Sequence, residues 1–526
     1  MLDFPIHVYE EPRENKVYAP SFRSPVLFFL TDRTDPRSVF AAFALGDFRR
    51  GRITYITSNC PENARQLERL MTPSLERHFP ILRGGEFRQV HSAIEIVPDE
   101  SFYAFPFASS ACGFFYHVDY KKKRMRLITA EDFQALSGSG PVESFGSTFS
   151  KDPDDPQHFY LTAKMTPCDA QPSHRIAYYR VSLDLRHITP LFSRTCEPDQ
   201  PCPHATRKWG NYLLSSDFNE TEYQLKKSGK VFRSDASFHD HVVHDYWSGL
   251  GTWARAGAIG SRVLVHPFAL ARTLRKQKRA SPGSRLSDVA IDCCFRGTHP
   301  SRDFIWACLN SEEYQFRLAP GSIRVLSLTE GTEAAYAVRH SKPAHFEFGQ
   351  AGHVYLSCHT FFAWNRRSYF IEPAAILKLR LTGGAVEEQG VFRHPTGFRF
   401  TSHVVFQADH REYLCTVGQP NRLFVIDGET MELVAFRDIG TDYLSSQTDI
   451  ASYLSRSKLE GEAIRALAVS EDGKYLVLAG GDGLSVVELG SLDIIDFLPV
   501  AASVSRLAGR AAGEVLCDAL HCQRLR

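Results

Sequence analysis

The sequence lacks a long hydrophobic run: no stretch approaches the roughly eighteen consecutive apolar residues typical of a membrane-spanning helix. It also lacks an excess of charge of either sign, because 61 Lys and Arg residues balance 60 Asp and Glu residues. This balance argues against a dedicated nucleic-acid or anionic-membrane surface. The first residues, MLDFPIHVYEEPREN, are acidic and contain no apolar segment, so we expect no secretory signal peptide.

The 12 cysteines form no disulfide framework, and we expect them to be reduced thiols in a cytoplasmic protein. Cys196 and Cys202 lack the spacing of a structural zinc site. Nucleophile-elbow, zincin, P-loop and Rossmann motifs are all absent. The basic runs 121–126 and 272–279 have no interleaved aromatic residues, which favours solvated loops over nucleic-acid contacts.

Residues 463–500 contain the most regular pattern in the chain. Four short runs rich in β-branched and apolar residues, 464–469, 475–479, 484–489 and 494–500, are separated by turn residues. Glu471-Asp472-Gly473 forms the first predicted turn, and a Gly-Gly-Asp-Gly sequence forms the second. This spacing predicts one antiparallel four-stranded sheet.

The stretch SEDGKYLVLAGGDGLSVVEL within this region resembles the repeat of YVTN/WD-type β-propellers. The resemblance implies an all-β protein in which such sheets are the blades of a ring. The same strand pattern recurs along the chain and predicts a single propeller domain over 1–526. The predicted complete blades span 91–130, 143–193, 204–234, 289–340, 345–392, 403–437 and 463–500.

The chain ends complete the predicted ring. Strand-like runs at 26–32, 39–46 and 53–58 lack one strand, and the last run, 504–519, lacks a sheet. A composite blade made of both would remove the open edges. The count is then eight blades, with seven as the alternative because weak blades are easily miscounted. Three stretches depart from the pattern: a helical insertion at 61–80, an irregular insertion or cap at 235–287, and a partly helical insertion at 442–461.

Histidines recur near the starts of the predicted first strands, which line the channel of a propeller. His345 lies ten residues before Tyr355, and His403 lies ten residues before Tyr413. Neutral imidazoles that converge from separate strands can bind Fe(II), Cu or Zn. Alternatively, with 21 histidines in the chain, these residues are structural and hydrogen-bond neighbouring blades. The candidate metal ligands are His91, His204, His345 and His403.

This arrangement is similar to that of the carotenoid-cleavage oxygenases, in which four histidines hold a non-haem iron, and to the copper-bearing propellers of selenium-binding proteins. The resemblance implies that the four candidate histidines are iron ligands. The segment FHDHVVHDYW adds His241 and His244, which are candidates for a general base or for reserve ligands. A polar surface loop is the alternative for this segment.

Two classes of function follow. The first is a metal-dependent enzyme, in which Fe(II), or else Cu or Zn, serves an oxygenase or oxidoreductase acting on a small apolar or aromatic substrate; a metal-assisted lyase or isomerase fits the same residues. The second is a non-catalytic WD-like scaffold that binds a protein partner and whose histidines are structural. The position of the histidines at strand starts favours the enzyme.

Overall fold

A computed structural model describes residues 2–32, 42–57, 89–107, 113–146, 150–169, 172–198, 200, 202–203, 205–217, 221–225, 231–232, 314–318, 321–338, 342–349, 352–359, 361–364, 367–370, 374–394, 400–418, 422–438, 464–480, 483–499 and 517–524. Within these ranges the regular structure is almost entirely antiparallel β-sheet. The predicted insertions at 61–80, 235–287 and 442–461 lie outside the described residues. No described helix is both long enough and apolar enough to span a membrane.

The two ends of the chain meet in blade 1, as predicted. The last strand lies at the inner edge and pairs antiparallel with a strand near the N-terminus, from Val26–Arg524 to Asp32–Cys517. This closing strand begins later than the predicted run 504–519. From the axis outward, the strands of blade 1 are β36 (Cys517–Arg524), β3 (Val26–Asp32), β4 (Ala42–Asp47), β5 (Arg52–Thr57) and β2 (His7–Pro12).

Blades 2 and 3 follow along the chain. Blade 2 contains β6 (Gln89–Val97), β7 (Ser101–Phe107), β8 (Phe114–Asp119), β9 (Arg124–Thr129) and, outermost, β1 (Leu2–Pro5). Helix α1 (Ala130–Ser137) comes next, and a 3-10 turn lies at Ala19–Ser21. Blade 3 has an interrupted inner strand, β10 (Val142–Phe145) and β11 (Ser150–Lys151), followed by β12 (His158–Met165), β13 (Arg175–Ser182) and β14 (Ile188–Thr195).

Blade 4 corrects the predicted count. Its strands are β15 (Ala205–Trp209), β16 (Tyr212–Asp217), β20 (Gly321–Ser327) and β21 (Glu333–Val338), so residues from two predicted blades, 204–234 and 289–340, form one sheet. Three further strands lie between β16 and β20 in the chain: β17 (Thr221–Leu225), β18 (Val231–Phe232) and β19 (Tyr314–Leu318). Because β16 pairs with β20 across a long insertion, the ring has seven blades, the alternative count, and eight was wrong.

The remaining blades match the predicted pattern. Blade 5 contains β22 (Lys342–Phe348), β23 (His353–His359), β26 (Ala375–Thr382) and β27 (Ala385–Arg393), with the hairpin β24 (Phe361–Trp364) and β25 (Arg367–Phe370) inserted. Blade 6 contains β28 (Phe400–Ala408), β29 (Arg411–Gly418), β30 (Arg422–Asp427) and β31 (Leu433–Asp438). Blade 7 contains β32 (Ile464–Val469), β33 (Tyr475–Gly480), β34 (Gly483–Glu488) and β35 (Ile494–Pro499).

The predicted turn between β32 and β33 needs its glycine. Gly473 has a φ of +71°, and a Cβ there would lie 2.4 Å from the Gln407 carbonyl oxygen of blade 6. Ser470 and Asp472 side chains complete the turn through a 2.8 Å hydrogen bond. Local turn chemistry therefore determines this hairpin, as the sequence predicts.

The hydrophobic core is divided among the junctions between blades. A buried apolar cluster fills each junction around the ring, and each cluster takes side chains from the facing sides of two sheets. At the junction of blades 1 and 2, for example, the Phe43 and Phe102 rings lie 5.2 Å apart in an edge-on arrangement. Each blade therefore buries its apolar surface only when both neighbours are present.

Candidate functional site

The two faces of the ring differ in the length of their connections. Strands alternate in direction, so the connections from first to second and from third to fourth strands lie on one face. None of these is longer than residues 152–157, and we call this the short-turn face. Residues 13–25, which connect β2 to β3, also lie on this face and hydrogen-bond its turns at Gly51 and Glu471. Connections from second to third strands and from blade to blade start and end on the other, long-connection face. The described strand ends on this face that are farthest apart in the chain are 32 and 42, 57 and 89, 217 and 321, 359 and 375, 438 and 464, and 499 and 517.

Two β-ribbons extend from neighbouring blades on the long-connection face. In blade 4, the pairing of β17 with β19, from Thr221–Leu318 to Leu225–Tyr314, keeps the register of β16 with β20. The second and third strands of blade 4 therefore continue beyond the blade as one ribbon. In blade 5, β24 and β25 form a hairpin between the same two strand positions. Both described ribbons therefore extend beyond the sheets on this face.

A buried ion-pair network lies at the base of the blade 4 ribbon. Asp217, the last residue of β16, is 2% exposed and accepts hydrogen bonds from Arg194 Nη2 at 2.6 Å and from Arg324 Nε. Glu333 Oε2 lies 3.1 Å from Arg324 Nη1, and Glu333 Oε1 lies 3.6 Å from Arg194 Nε. Arg194 belongs to β14 of blade 3, whereas the other three residues belong to blade 4. The network therefore attaches the base of the ribbon to the neighbouring blade.

The inner strands carry β-bulges near their long-connection ends. The register shifts at the start of the first strand in blades 2, 3, 5, 6 and 7. The extra residue is His91 in blade 2 and Glu143 in blade 3, whereas in blade 5 Ala344 and His345 together oppose Ser357. His91 and His345 therefore both lie in a bulge near the start of an inner strand, although the registers of the two bulges differ. A bulge commonly redirects a side chain next to a functional site.

The backbone at His345 also shows which residue of blade 4 corresponds to it. The His345 N–H donates to Ser357 Oγ at 3.2 Å, and the Ala205 N–H donates to Ser216 Oγ at 3.1 Å. Ala205, not His204, therefore stands at the position that corresponds to His345. His204, His241 and His244 lie outside the described residues. Among the described residues, no group of three or more His, Cys, Asp or Glu side chains is arranged to hold a metal.

His403 follows the bulge of blade 6 and is 2% exposed. Its Nε2 lies 3.0 Å from the Tyr355 carbonyl oxygen of blade 5, and since a carbonyl only accepts, Nε2 carries the proton. Nδ1 is buried and has no hydrogen-bond partner within the described chain. Burial, and then the charge of Arg207, lowers the pKa of His403 to about 4, although the bond to Tyr355 opposes the shift. The imidazole is therefore neutral at pH 7, with its lone pair on Nδ1.

Tyr355 connects blades 5 and 6 at this point. Its hydroxyl donates to Glu412 Oε1 at 2.5 Å and lies 2.9 Å from the Gly428 carbonyl oxygen, both in blade 6. Its own carbonyl receives the His403 hydrogen bond. His403 therefore makes the contact with a neighbouring blade that the structural alternative predicts, while its Nδ1 keeps the capacity to bind a ligand.

A second polar cluster, in blade 3, was not found from the sequence. Lys164 has a 4% exposed side chain, and its Nζ lies 3.4 Å from Glu143 Oε1 and 2.5 Å from the Pro198 carbonyl oxygen. His174 Nδ1 lies 3.6 Å from Glu143 Oε2. No local sequence signal joins these residues, because only the pairing of β10, β12 and β13 brings them together. Nearby, burial raises the pKa of Cys202 to about 12, so this thiol is protonated.

No protein-family model matches the chain, and comparison with curated proteins finds no match. Among solved structures, the chain is similar to dihydro-heme d1 dehydrogenase NirN in complex with DHE, at 11% identity and a TM-score of 0.40, over 99% of this chain and 80% of that one. It is also similar to the WD40 β-propeller domain of Doa1, at 7% identity and a TM-score of 0.35, over 78% of this chain and 83% of that one. These likenesses carry no functional argument, and the propeller assignment rests on the sheet topology.

The Asp217 network generates a stability prediction. Asp217→Ala leaves two buried guanidinium groups without their shared carboxylate, so we expect the free energy of unfolding to fall by about 3–5 kcal/mol. The matched control is Glu14→Ala, because Glu14 is 89% exposed and pairs with Lys16 at 3.9 Å. The control should change stability by no more than about 0.5 kcal/mol. Urea unfolding followed by circular dichroism measures both, and equal midpoints would contradict the anchoring role.

His403 generates a pH prediction. Its pKa is about 4 in the folded protein, against about 6.5 for an unperturbed histidine in the unfolded chain. The unfolded state therefore binds the proton more readily, and the stabilisation present above pH 6.5 is lost as the pH falls toward 4. The contribution between pH 7 and pH 5 is about 2 kcal/mol. His403→Gln, which keeps a donor for Tyr355, should remove this part of the pH dependence.

The control for the pH experiment is His7→Gln, because His7 is exposed. Urea unfolding at several pH values should show the wild-type slope in His7→Gln and a shallower slope in His403→Gln. The same slope in all three proteins would show that His403 is not the group that titrates.

Proposed function

We propose that this propeller is a non-catalytic interaction scaffold that holds a partner protein on its long-connection face. The observation that carries the proposal is the division between the faces: apart from residues 13–25, the described connections on one face are short turns, whereas both described ribbons extend from the other. Binding residues are characteristically carried by loops that a rigid scaffold positions. The near-neutral charge of the chain, +1, favours a protein partner over a polyanion.

The Asp217 network supports the same proposal. It attaches the base of the blade 4 ribbon to blade 3 through charged groups that are at most 23% exposed. A ribbon held at its base presents its distal part in a defined direction, which lowers the entropy cost of binding a partner. The opposite face has no comparable projection among the described residues.

The test maps partner contacts on the intact chain by cross-linking mass spectrometry in an extract of the source cells. We expect cross-links to concentrate on the long-connection face. A shortened variant lacks residues 226–313 and joins Leu225 to Tyr314 through an Asn-Gly turn, which closes the ribbon as a tight hairpin. It should keep the folded β-sheet signal and lose the cross-linked partner.

The matched control changes the short-turn face. Lys121→Glu with Lys122→Glu reverses two exposed charges in the turn between β8 and β9 and should leave the partner cross-links unchanged. Cross-links distributed equally over both faces, or a partner retained by the shortened variant, would contradict the proposal.

A metal-dependent enzyme is the second candidate. The observations that favour it are the positions of His91 and His345 in bulges of two inner strands and the buried Nδ1 lone pair of His403. Neutral imidazoles from separate inner strands would suit Fe(II), and also Cu or Zn. A metal there would serve oxygenase, oxidoreductase, lyase or isomerase chemistry on a small substrate, with His204, His241 and His244 as further candidate ligands or bases.

Elemental analysis of untagged protein, after anaerobic reconstitution with Fe(II), tests this candidate. A metal centre requires about one metal ion per chain. His345→Ala should release it, whereas His353→Ala, in the neighbouring strand at the short-turn end, should retain it. No bound metal, or metal retained by His345→Ala, would eliminate the metal site.

A further inference from the structure

The first residues of the chain contact three neighbouring blades. β1 pairs antiparallel with β9 of blade 2, and β2 pairs antiparallel with β5 of blade 1. Only Ile6 separates these two strands. Residues 13–25 then connect β2 to β3 and contact blade 7 on the way. We call the whole segment, residues 2–25, the N-terminal strap.

The connection from β2 to β3 is longer than blade 1 requires. The two strands are three strand spacings apart in the sheet, a distance of about 14 Å. About five extended residues would span this distance, whereas the connection has thirteen, residues 13–25. The additional length allows the strap to reach blade 7 before the chain enters β3.

Two carboxylates of blade 7 hold the strap. Glu471, in the turn between β32 and β33, accepts hydrogen bonds from the backbone N–H of Arg23 at 2.8 Å and from that of Ser24 at 3.1 Å. Asp496 of β35 accepts a 2.6 Å hydrogen bond from the Tyr18 hydroxyl. The acidic turn that the sequence predicts therefore forms a hairpin and also binds the strap.

Apolar side chains of the strap fill the junctions on both sides of blade 1. Phe4 and Ile6 are 0% and 5% exposed and belong to the cluster between blades 1 and 2. Tyr18 and Phe22 are 4% and 1% exposed and belong to the cluster between blades 7 and 1. Because burial of apolar surface favours association, these side chains hold the strap against all three blades.

The strap and β36 link the same blades at different distances from the axis. β36 is the axial strand of blade 1 and lies beside the inner strands β32 of blade 7 and β6 of blade 2. β2, the outermost strand of blade 1, is four strand spacings, or about 20 Å, farther from the axis. A link at the axis alone would leave the outer parts of the blades free to separate, whereas two links this far apart oppose that movement.

We propose that the N-terminal strap is a second closure of the ring, which acts independently of the pairing of β36 with β3. While the strap is bound, blades 7, 1 and 2 stay together when β36 separates locally from β3. While β36 is paired, the same blades stay together when the strap is released. The ring opens between blades 7 and 1 only when both links are broken. This inference does not depend on what the long-connection face binds.

The test combines two variants of the full chain. The strap variant, Glu471→Ala with Tyr18→Phe, removes the hydrogen bonds to blade 7 that hold the strap and keeps the ring of residue 18. The strand variant, Cys522→Pro with Gln523→Pro, interrupts β36. Successive N–H groups of a strand point to opposite sides, so one of two adjacent prolines removes a donor to β3.

Hydrogen exchange of the β4 and β33 amides, measured by mass spectrometry, reports opening of the junction between blades 1 and 7. We expect each variant alone to accelerate this exchange only modestly, because the other closure remains. The variant with all four changes should exchange at least about tenfold faster than the product of the two separate effects, because no closure is then left.

Glu488→Ala is the matched control for the strap variant. Glu488 is an exposed carboxylate of blade 7, and it accepts a 2.9 Å hydrogen bond from Ser491 of its own turn, not from the strap. Combined with the strand variant, it should change the exchange rate by no more than the product of the two separate effects. Circular dichroism should confirm that all variants fold.

A second measurement needs no change in β36. In the wild type, the amides of 517–524 should exchange faster than those of β33, because β36 separates locally while the strap keeps the ring closed. In the strap variant the two rates should converge, because separation of β36 then opens the junction as well.

Two outcomes would overturn the proposal. The effects of the strap and strand variants simply multiply when they are combined, or the amides of 517–524 and of β33 exchange at the same rate in the wild type. If the strand variant does not fold, the second measurement decides.

Discussion

The antiparallel pairing of β36 with β3 is the interaction on which the rest of the structure depends. It joins the last described strand to the first strands of the chain and supplies the inner strand of blade 1. Without it, blade 1 would lack its axial strand, and the adjoining blades would each lose a packing surface. Because the apolar core is divided among the junctions, closing the ring buries every cluster from both sides.

Closure also explains why the two faces can differ so strongly. A ring of antiparallel sheets is held by its strands and junctions, so the connections contribute little to its stability. Tight turns keep one face compact, whereas insertions on the other face extend existing strand pairs, as the register of β17 with β19 shows. Where an insertion meets the ring, the buried Asp217 network holds it against the next blade. Rigid blades and long connections on one face together suit the binding of a partner.

The histidines show how one pattern can serve two purposes. His91 and His345 both lie in inner-strand bulges, which differ in register. His403 instead bonds the backbone of the neighbouring blade through Nε2 and is desolvated enough to stay neutral. A neutral, buried imidazole of this kind stabilises a junction and also retains a lone pair suitable for a ligand. Metal binding here stays a prediction.

The sequence by itself determined the features that depend on residues close together in the chain. The strands of blade 7, the turn at Gly473 and the all-β class follow from apolar periodicity and local turn chemistry. The composite blade was also predicted from the sequence. The strand-like runs near the start of the chain lack one strand and the last run lacks a sheet, so each can complete the other. The strand pattern did not predict helix α1, although Thr129 and Asp132 form a capping box at its N-terminus.

Only the tertiary structure decided which strands pair across long separations. Nothing local indicates that 212–217 pairs with 322–327, so one blade with an inserted ribbon was predicted as two. The clusters of Asp217 with Arg194 and of Glu143 with Lys164 depend on the same pairings. Periodicity identifies a strand and its buried face, but the choice of partner depends on register and on packing against neighbours that lie far away in the chain.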